Sequence, residues 1–268
     1  MTRTRVLAPT VATILIAIGC GSGKPQDAAA KTDASGAQGT MQLAEAPAGA
    51  QPAGATGSAS IQGTVKFAGT APAMDKVKMD ADPTCQQQHP APVTAEAVVV
   101  NGNGTLKNVF VYVKDGVAGT YPAPATPVVL NQSGCWYMPH AFGIQANQPL
   151  EIVNNDSTLH NINAKPKANQ PFNVAQPVKG MKTTKKFTTP EVMVSFKCNV
   201  HPWMQAYAGV VSHPFFAVSD GTGSFTISRL PAGTYVLEAW HEKYGTQTQT
   251  VTVADGETKS IELTFKAQ

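Results

Sequence analysis

The chain has 268 residues, with 20 Lys and Arg against 17 Asp and Glu and a formal net charge of +3 at pH 7. That length can bury a sizeable apolar core, so neither a metal nor a cross-link is needed for stability and a metal would serve function. The near balance of charge excludes the strongly basic surface that a nucleic-acid partner requires, so no nucleic acid is expected.

The N-terminus reads MTRTRVLAPTVATILIAIGCGSG: Arg3 and Arg5, an apolar run from Val6 to Ile18, then small residues around Cys20. This is a secretory signal pattern, and the run is too short to span a bilayer. Residues 1–19 are therefore expected to be removed on export to the periplasmic side of the cell envelope. The segment AIGC resembles a bacterial lipobox, with Ala17 where Leu is usual. It makes Cys20 the residue that would carry lipid and anchor the chain to a membrane, the alternative being ordinary cleavage with a soluble product. Losing residues 1–19 removes two arginines and no acid, leaving 18 basic against 17 acidic residues, a formal charge of +1. Residues 20–60 are Ala, Gly, Ser, Gln, Thr and Pro with almost no large apolar side chains, a composition that cannot build a core and reads as a flexible tether.

From Ile61 onward, short apolar runs alternate with turn signals: IQGTVKFAG, EAVVVNGNG, NVFVYVKDG, PLEIVNND, EVMVSFKC, GSFTISRLPAGTYVLEAW and TQTQTVTV. No long segment has the helical period, so the fold class is all-β, built of one or two sandwiches. Period-2 alternation puts Val109, Val111 and Val113 on a core face and Phe110, Tyr112 and Lys114 on the other. In EVMVSFKC it aligns Val192, Val194, Phe196 and Cys198, so the thiol continues an inward apolar stripe as its strand ends.

The stretch that follows, CNVHPWM from Cys198 to Met204, places a thiol, an imidazole and a thioether within seven residues. Soft sulfur donors with imidazole suit copper far better than magnesium or calcium. A second imidazole is best supplied by PLEIVNNDSTLHNI, where an apolar strand ends in an Asn-Asp turn and His160 opens the next segment. With YMPHAFGIQANQPLEIVNNDSTLHNI before it, and Cys198 lying 38 residues beyond His160, the pattern resembles the cupredoxins, the small blue copper proteins of the plastocyanin and amicyanin type. The resemblance covers residues 136–211 and rests on the strand pattern alone over 95–135. It implies a Greek-key β-sandwich with one type 1 copper at one end, held by His160, Cys198 and His201 with Met204 as a long axial contact. It implies further that Asn161 ties the two ligand loops together, and that electrons pass without any substrate being bound. Pro202 and Trp203 stiffen the loop and cover the metal with apolar surface, a face on which a redox protein would dock.

In an oxidising compartment, the two thiols left after lipid and copper take theirs, Cys85 and Cys135, are expected to pair as a disulfide. The alternative is a second metal centre, because CQQQH and CWYMPH bring Cys85, His89, Cys135 and His140 as two thiols and two imidazoles. His213 and His241 have no partner pattern around them. Four lysines between Lys179 and Lys186 read either as a solvated strand or as a patch that steers an acidic partner.

The C-terminal GSFTISRLPAGTYVLEAWHEKYG pairs two strands through a Pro-Ala-Gly turn, with Tyr235, Leu237 and Ala239 on one face. It resembles the carboxypeptidase regulatory-like domain, a non-catalytic transthyretin-type sandwich, and IQGTVKFAGTAPA resembles that family's opening strand, which would make the copper domain an insertion. The expected order is a strand and connection over 61–94, a copper domain over 95–214 and the regulatory-like segment over 215–268. No HExxH, GxSxG or CxxCH occurs, and GSGK at Gly21 lacks the phosphate-loop spacing, so the chain reads as an electron carrier and not as an enzyme. The competing classes are a copper storage or delivery protein, with a looser and more exposed ligand loop, and a metal-free β-sandwich binding lipoprotein.

Overall fold

The computed structural model describes residues 57–267, all within one unit, Ala44–Gln268. The expected signal segment, Cys20 and most of the expected tether lie outside the described residues. The described chain opens with β1 (Ala59–Ala68), two residues ahead of the expected start, then the short helix α1 (Pro83–Gln88) and β2 (Phe110–Asp115). Next come β3 (Val128–Ser133), β4 (Trp136–Met138), β5 (Ala141–Gln145), β6 (Pro149–Asn154) and β7 (His160–Lys165). They are followed by β8 (Phe172–Gln176), β9 (Lys182–Lys186), β10 (Glu191–Lys197) and β11 (Gln205–Val211). The chain ends with β12 (Phe216–Val218), β13 (Ser224–Leu230), β14 (Gly233–His241), β15 (Gly245–Val253) and β16 (Thr258–Lys266).

These strands form two all-β sandwiches. Sheets β4-β3-β6-β9 and β5-β11-β10-β7-β8 enclose one core, and sheets β13-β1-β16 and β12-β2-β14-β15 enclose the other. In the first, the chain crosses between sheets after β4, β5, β6, β8 and β9, giving Greek-key connectivity. Its core includes Leu130, Ile144, Leu150, Ile152, Ile162, Val194 and Phe196, inward positions of alternating strands. β9, which carries Lys182, Lys185 and Lys186, forms one edge of its sheet, and charged side chains there blunt unwanted strand pairing.

The second sandwich is discontinuous in sequence. β1 pairs parallel with β16 and antiparallel with β13, and β2 pairs with β12 and β14. Val109, Val111 and Val113 are fully buried, as the alternation requires, but in the core that holds Ile61, Tyr235, Leu237 and Ala239. The strand expected near the start of the 95–214 segment therefore belongs to the C-terminal sandwich, because alternation sets which face is buried and not which sheet receives it. The strand expected in EAVVVNGNG is also absent: residues 96–104 form turns with a single bridge from Val100 to Leu106, and Val98 alone is buried in the core. Phe110, expected on the outer face, is fully buried because the two sandwiches meet there. Gly143 and Gly209 are paired across β5 and β11, and a Cβ on them would lie 2.2 Å from the rings of Phe216 and Phe110 respectively. The glycines make a floor on which both rings rest.

Candidate metal centre

Two loops at one end of the first sandwich bring the site together. After β6, Asn154 turns the chain by accepting the Asp156 N–H at 2.9 Å and donating to the Thr158 carbonyl at 3.0 Å, which delivers His160 as the first residue of β7. The inward stripe of β10 continues through Val194 and Phe196 to Cys198, 3 % exposed, while Val192 lies half-buried where the β10–β11 register shifts. The loop from Cys198 to Met204 is closed by two backbone bonds, Cys198 N–H to the Met204 carbonyl at 3.1 Å and Met204 N–H to the His201 carbonyl at 2.9 Å. The His201 N–H lies 3.4 Å from the Cys198 sulfur, so the loop backbone itself stabilises a thiolate.

His160 Nδ1 lies 2.9 Å from His201 Nδ1, and Cys198 Sγ lies 3.9 Å from the latter. One ligand atom from each of these three residues falls within 4.8 Å of the others, and all three are buried. Met204 is fully buried at the end of the same loop. Asn161 links the loops: its Oδ1 accepts from the Asn199 N–H at 2.6 Å and from Cys198 Sγ at 3.4 Å, and its Nδ2 donates to Asn173 at 2.6 Å.

Each histidine turns its other nitrogen to a carboxylate. His160 Nε2 donates to Asp156 at 2.9 Å, and Asp156 in turn accepts from the Gly134 and Cys135 N–H groups. His201 Nε2 donates to Asp82 at 3.0 Å, and Asp82 also accepts from Thr158 and caps α1. Burial by itself raises Asp82, but hydrogen bonds from Thr158, His201 and the α1 N–H groups outweigh it and hold the carboxyl at about 2. Burial likewise opposes ionisation of Cys198, yet hydrogen bonds from His160 and His201 and the nearby backbone bring its thiol down to about 5. His160 is raised: the cost of burying its charge is exceeded by Asp156 and the Cys198 sulfur. The surroundings of Cys198 thus favour its ionisation.

Cys85 and Cys135 form a disulfide spanning 50 residues, with Cα atoms 5.6 Å apart. The alternative centre built from Cys85, His89, Cys135 and His140 is not assembled: His89 bonds the Gly134 carbonyl at 2.6 Å, and His140 pairs with Glu242 at the junction of the two sandwiches. Trp203 is partly buried, its indole N–H donating to the Cys135 carbonyl at 3.0 Å and its ring centroid 5.1 Å from that of His201, whereas Pro202 is exposed. His213 donates to the Val113 carbonyl and His241 accepts from the Lys243 N–H, both as buried structural residues. Lys182 pairs with Glu151 and Lys185 lies over the Phe172 ring, and the run as a whole is solvated.

The two supporting carboxylates are the residues that sequence reasoning missed. Asp156 precedes His160 by four positions inside the Asn-Asp turn, and Asp82 starts an Asp-Pro-Thr helix signal. Nothing local marks Asp82 as a partner of a histidine 119 residues away.

Residues 209–266 match the model of the carboxypeptidase regulatory-like domain. β1 and β2, which complete the sheets of that sandwich, lie outside the matched range. No curated protein matches the chain. Among solved structures, a copper-containing nitrite reductase from Thermus scotoductus is 22 % identical with a TM-score of 0.30, over 36 % of this chain and 25 % of its own, so the chain spans a quarter of that protein. An oxidised variant of amicyanin is 16 % identical with a TM-score of 0.28, over 31 % of this chain and 81 % of its own. A purple cupredoxin from Nitrosopumilus maritimus is 19 % identical with a TM-score of 0.27, over 31 % of this chain and 97 % of its own. The chain is thus an all-β protein of two sandwiches, one of which carries the carboxypeptidase regulatory-like domain match.

Proposed function

We propose that the protein is an exported, lipid-anchored type 1 copper protein that passes single electrons between redox partners of the cell envelope. The observation that carries this reading is the enclosed convergence of His160, Cys198 and His201, 0 %, 3 % and 2 % exposed. Two imidazole Nδ1 atoms 2.9 Å apart, beside a thiol predisposed to ionise, set three donor atoms close together. Unless a proton or a cation lies between them, that arrangement is repulsive, and a cation with affinity for both nitrogen and sulfur satisfies all three.

His160, Cys198 and His201 would hold the ion, with the buried Met204 as a further candidate donor, a set that suits copper over the hard, oxygen-seeking cations. Copper would supply a one-electron couple. The chain's own part is to limit rearrangement: Asn161 fastens the two ligand loops, Asp82 and Asp156 fix the imidazoles, and the core supports Cys198 from below. Buried ligand side chains, on loops fastened to each other through Asn161, favour an electron carrier over a storage or delivery role, which needs accessible ligands. On this reading the protein transforms no substrate, and its partners are redox proteins docking at the Pro202 and Trp203 end. The test is reductive titration of the copper-loaded protein. One electron per chain, taken from ascorbate and given up to ferricyanide without loss of metal, is expected; release of copper on reduction would favour delivery.

A further inference from the structure

Asp82 reaches the site from outside both sheets, 119 residues before the histidine it contacts. Its two carboxylate oxygens have separate tasks. Oδ1 accepts the Thr84 and Cys85 N–H groups at 2.8 and 3.4 Å, capping α1. Oδ2 accepts the Thr158 hydroxyl at 2.8 Å and His201 Nε2 at 3.0 Å. Three residues further on, the Cys85 sulfur lies 3.5 Å from the same Nε2, and its disulfide to Cys135 fastens the turn to the segment whose carbonyl holds Trp203. The outer edge of His201 is therefore covered by a cross-linked turn and not by solvent.

We infer that Asp82 is the positioning residue of the late histidine: by accepting the Nε2 proton it leaves Nδ1 of His201 unprotonated toward Cys198 and His160, and the Cys85–Cys135 bridge keeps it there. Its effect on copper rests on the reading above; its effect on the imidazole does not. A neutral imidazole carries one proton on one nitrogen, so an acceptor at Nε2 selects the form whose Nδ1 lone pair is free for a metal. Groups that orient a ligating histidine in this way typically change metal affinity by about 10–100-fold when removed. Asp156 performs the same task for His160 from within its own turn, whereas Asp82 must be carried in by α1 and the disulfide.

The variant that separates this role from helix capping is Asp82→Asn. Its Oδ1 still caps α1, since Asn is as good a cap as Asp, while its amide nitrogen replaces the oxygen facing His201 and cannot accept a proton. The imidazole protonation pattern is read in the metal-free full-length protein by long-range nitrogen–proton NMR correlations, and copper affinity by competition with a chelator. The expected result is a protonated Nε2 on His201 in the wild type, an unprotonated Nε2 and protonated Nδ1 in Asp82→Asn, an unchanged pattern at His160, and copper binding weakened about 10–100-fold with the thermal midpoint nearly retained. Asp82→Ala is expected to lose both the pattern and part of the stability. A His201 that keeps its Nε2 proton in Asp82→Asn, or copper affinity within twofold of wild type alongside a shifted pattern, would overturn the inference. If the wild type binds no copper while the NMR pattern shifts as described, the orienting role stands and the copper reading falls.

Discussion

Replacing Asn161 with alanine is expected to loosen both ligand loops at once. The side chain makes three contacts: Oδ1 with the Asn199 N–H at 2.6 Å and with Cys198 Sγ at 3.4 Å, and Nδ2 with Asn173 Oδ1 at 2.6 Å. A hydrogen bond contributes about 0.5–1.5 kcal/mol net, and water can reclaim the Asn199 N–H at the exposed rim, so the predicted loss is about 2 kcal/mol. For a protein of this size that corresponds to a fall of about 4–8 °C in the thermal midpoint of the metal-free form. Because the loss falls on the span between His160 and Cys198, copper affinity should also drop, by about 10–100-fold. Thermal unfolding followed by circular dichroism, together with chelator competition, measures both. Asn163→Ala is the control: it removes a bond of 3.0 Å to the side chain of the same Asn199, but in an exposed position, and should shift stability by no more than about 0.5 kcal/mol. An Asn161→Ala protein indistinguishable from that control in both assays would refute the argument that this residue binds the loops together.

The disulfide and a buried histidine give two further expectations. Cys85→Ser with Cys135→Ser removes a cross-link spanning 50 residues, for which loop-closure entropy gives about 4 kcal/mol; chemical denaturation should show most of that loss, and a change under about 1 kcal/mol would mean that the segment is held by its other contacts. His241 is lowered from 6.5 to about 4 by burial, with Glu242 opposing and His140 assisting. The unfolded chain therefore takes up this proton first, and stability present above pH 6.5 is lost as pH falls toward 4, at up to about 1.4 kcal/mol per pH unit. His241→Asn, which retains an acceptor for the Lys243 N–H, should flatten that slope in denaturation midpoints measured across the range; an unchanged slope would assign it to other groups.

Local chemistry carried much of this architecture into the sequence. Alternation identified the buried faces of β2, β10 and β14 because period-2 patterning is a property of each strand by itself. His160, Cys198 and His201 were legible because donor types cluster at strand ends, and the structure brings those three side chains together. What alternation could not supply was the assignment of strands to sheets. β2 and the residue before it present Val109, Val111 and Val113 equally well to either core, and only the pairing of β2 with β12 and β14 places it in the C-terminal sandwich. EAVVVNGNG has the composition of a strand, but the Asn-Gly pairs that follow turn it back onto Thr105 and Leu106 before a ladder can form. Asp82 was hidden for a related reason: its local signal is that of a helix cap, and the contact with His201 exists only once the disulfide and α1 have folded over the end of the other sandwich.

The central claim is that Cys198 supplies the thiolate of a copper site that His160 and His201 complete. It is tested most directly by loading the wild type and Cys198→Ser with copper(II) and comparing bound metal with the visible spectrum. One copper per chain with an intense thiolate-to-copper band in the wild type, and loss of that band in Cys198→Ser, is the predicted result. A wild type without the band, or a band that survives in Cys198→Ser, would contradict the account.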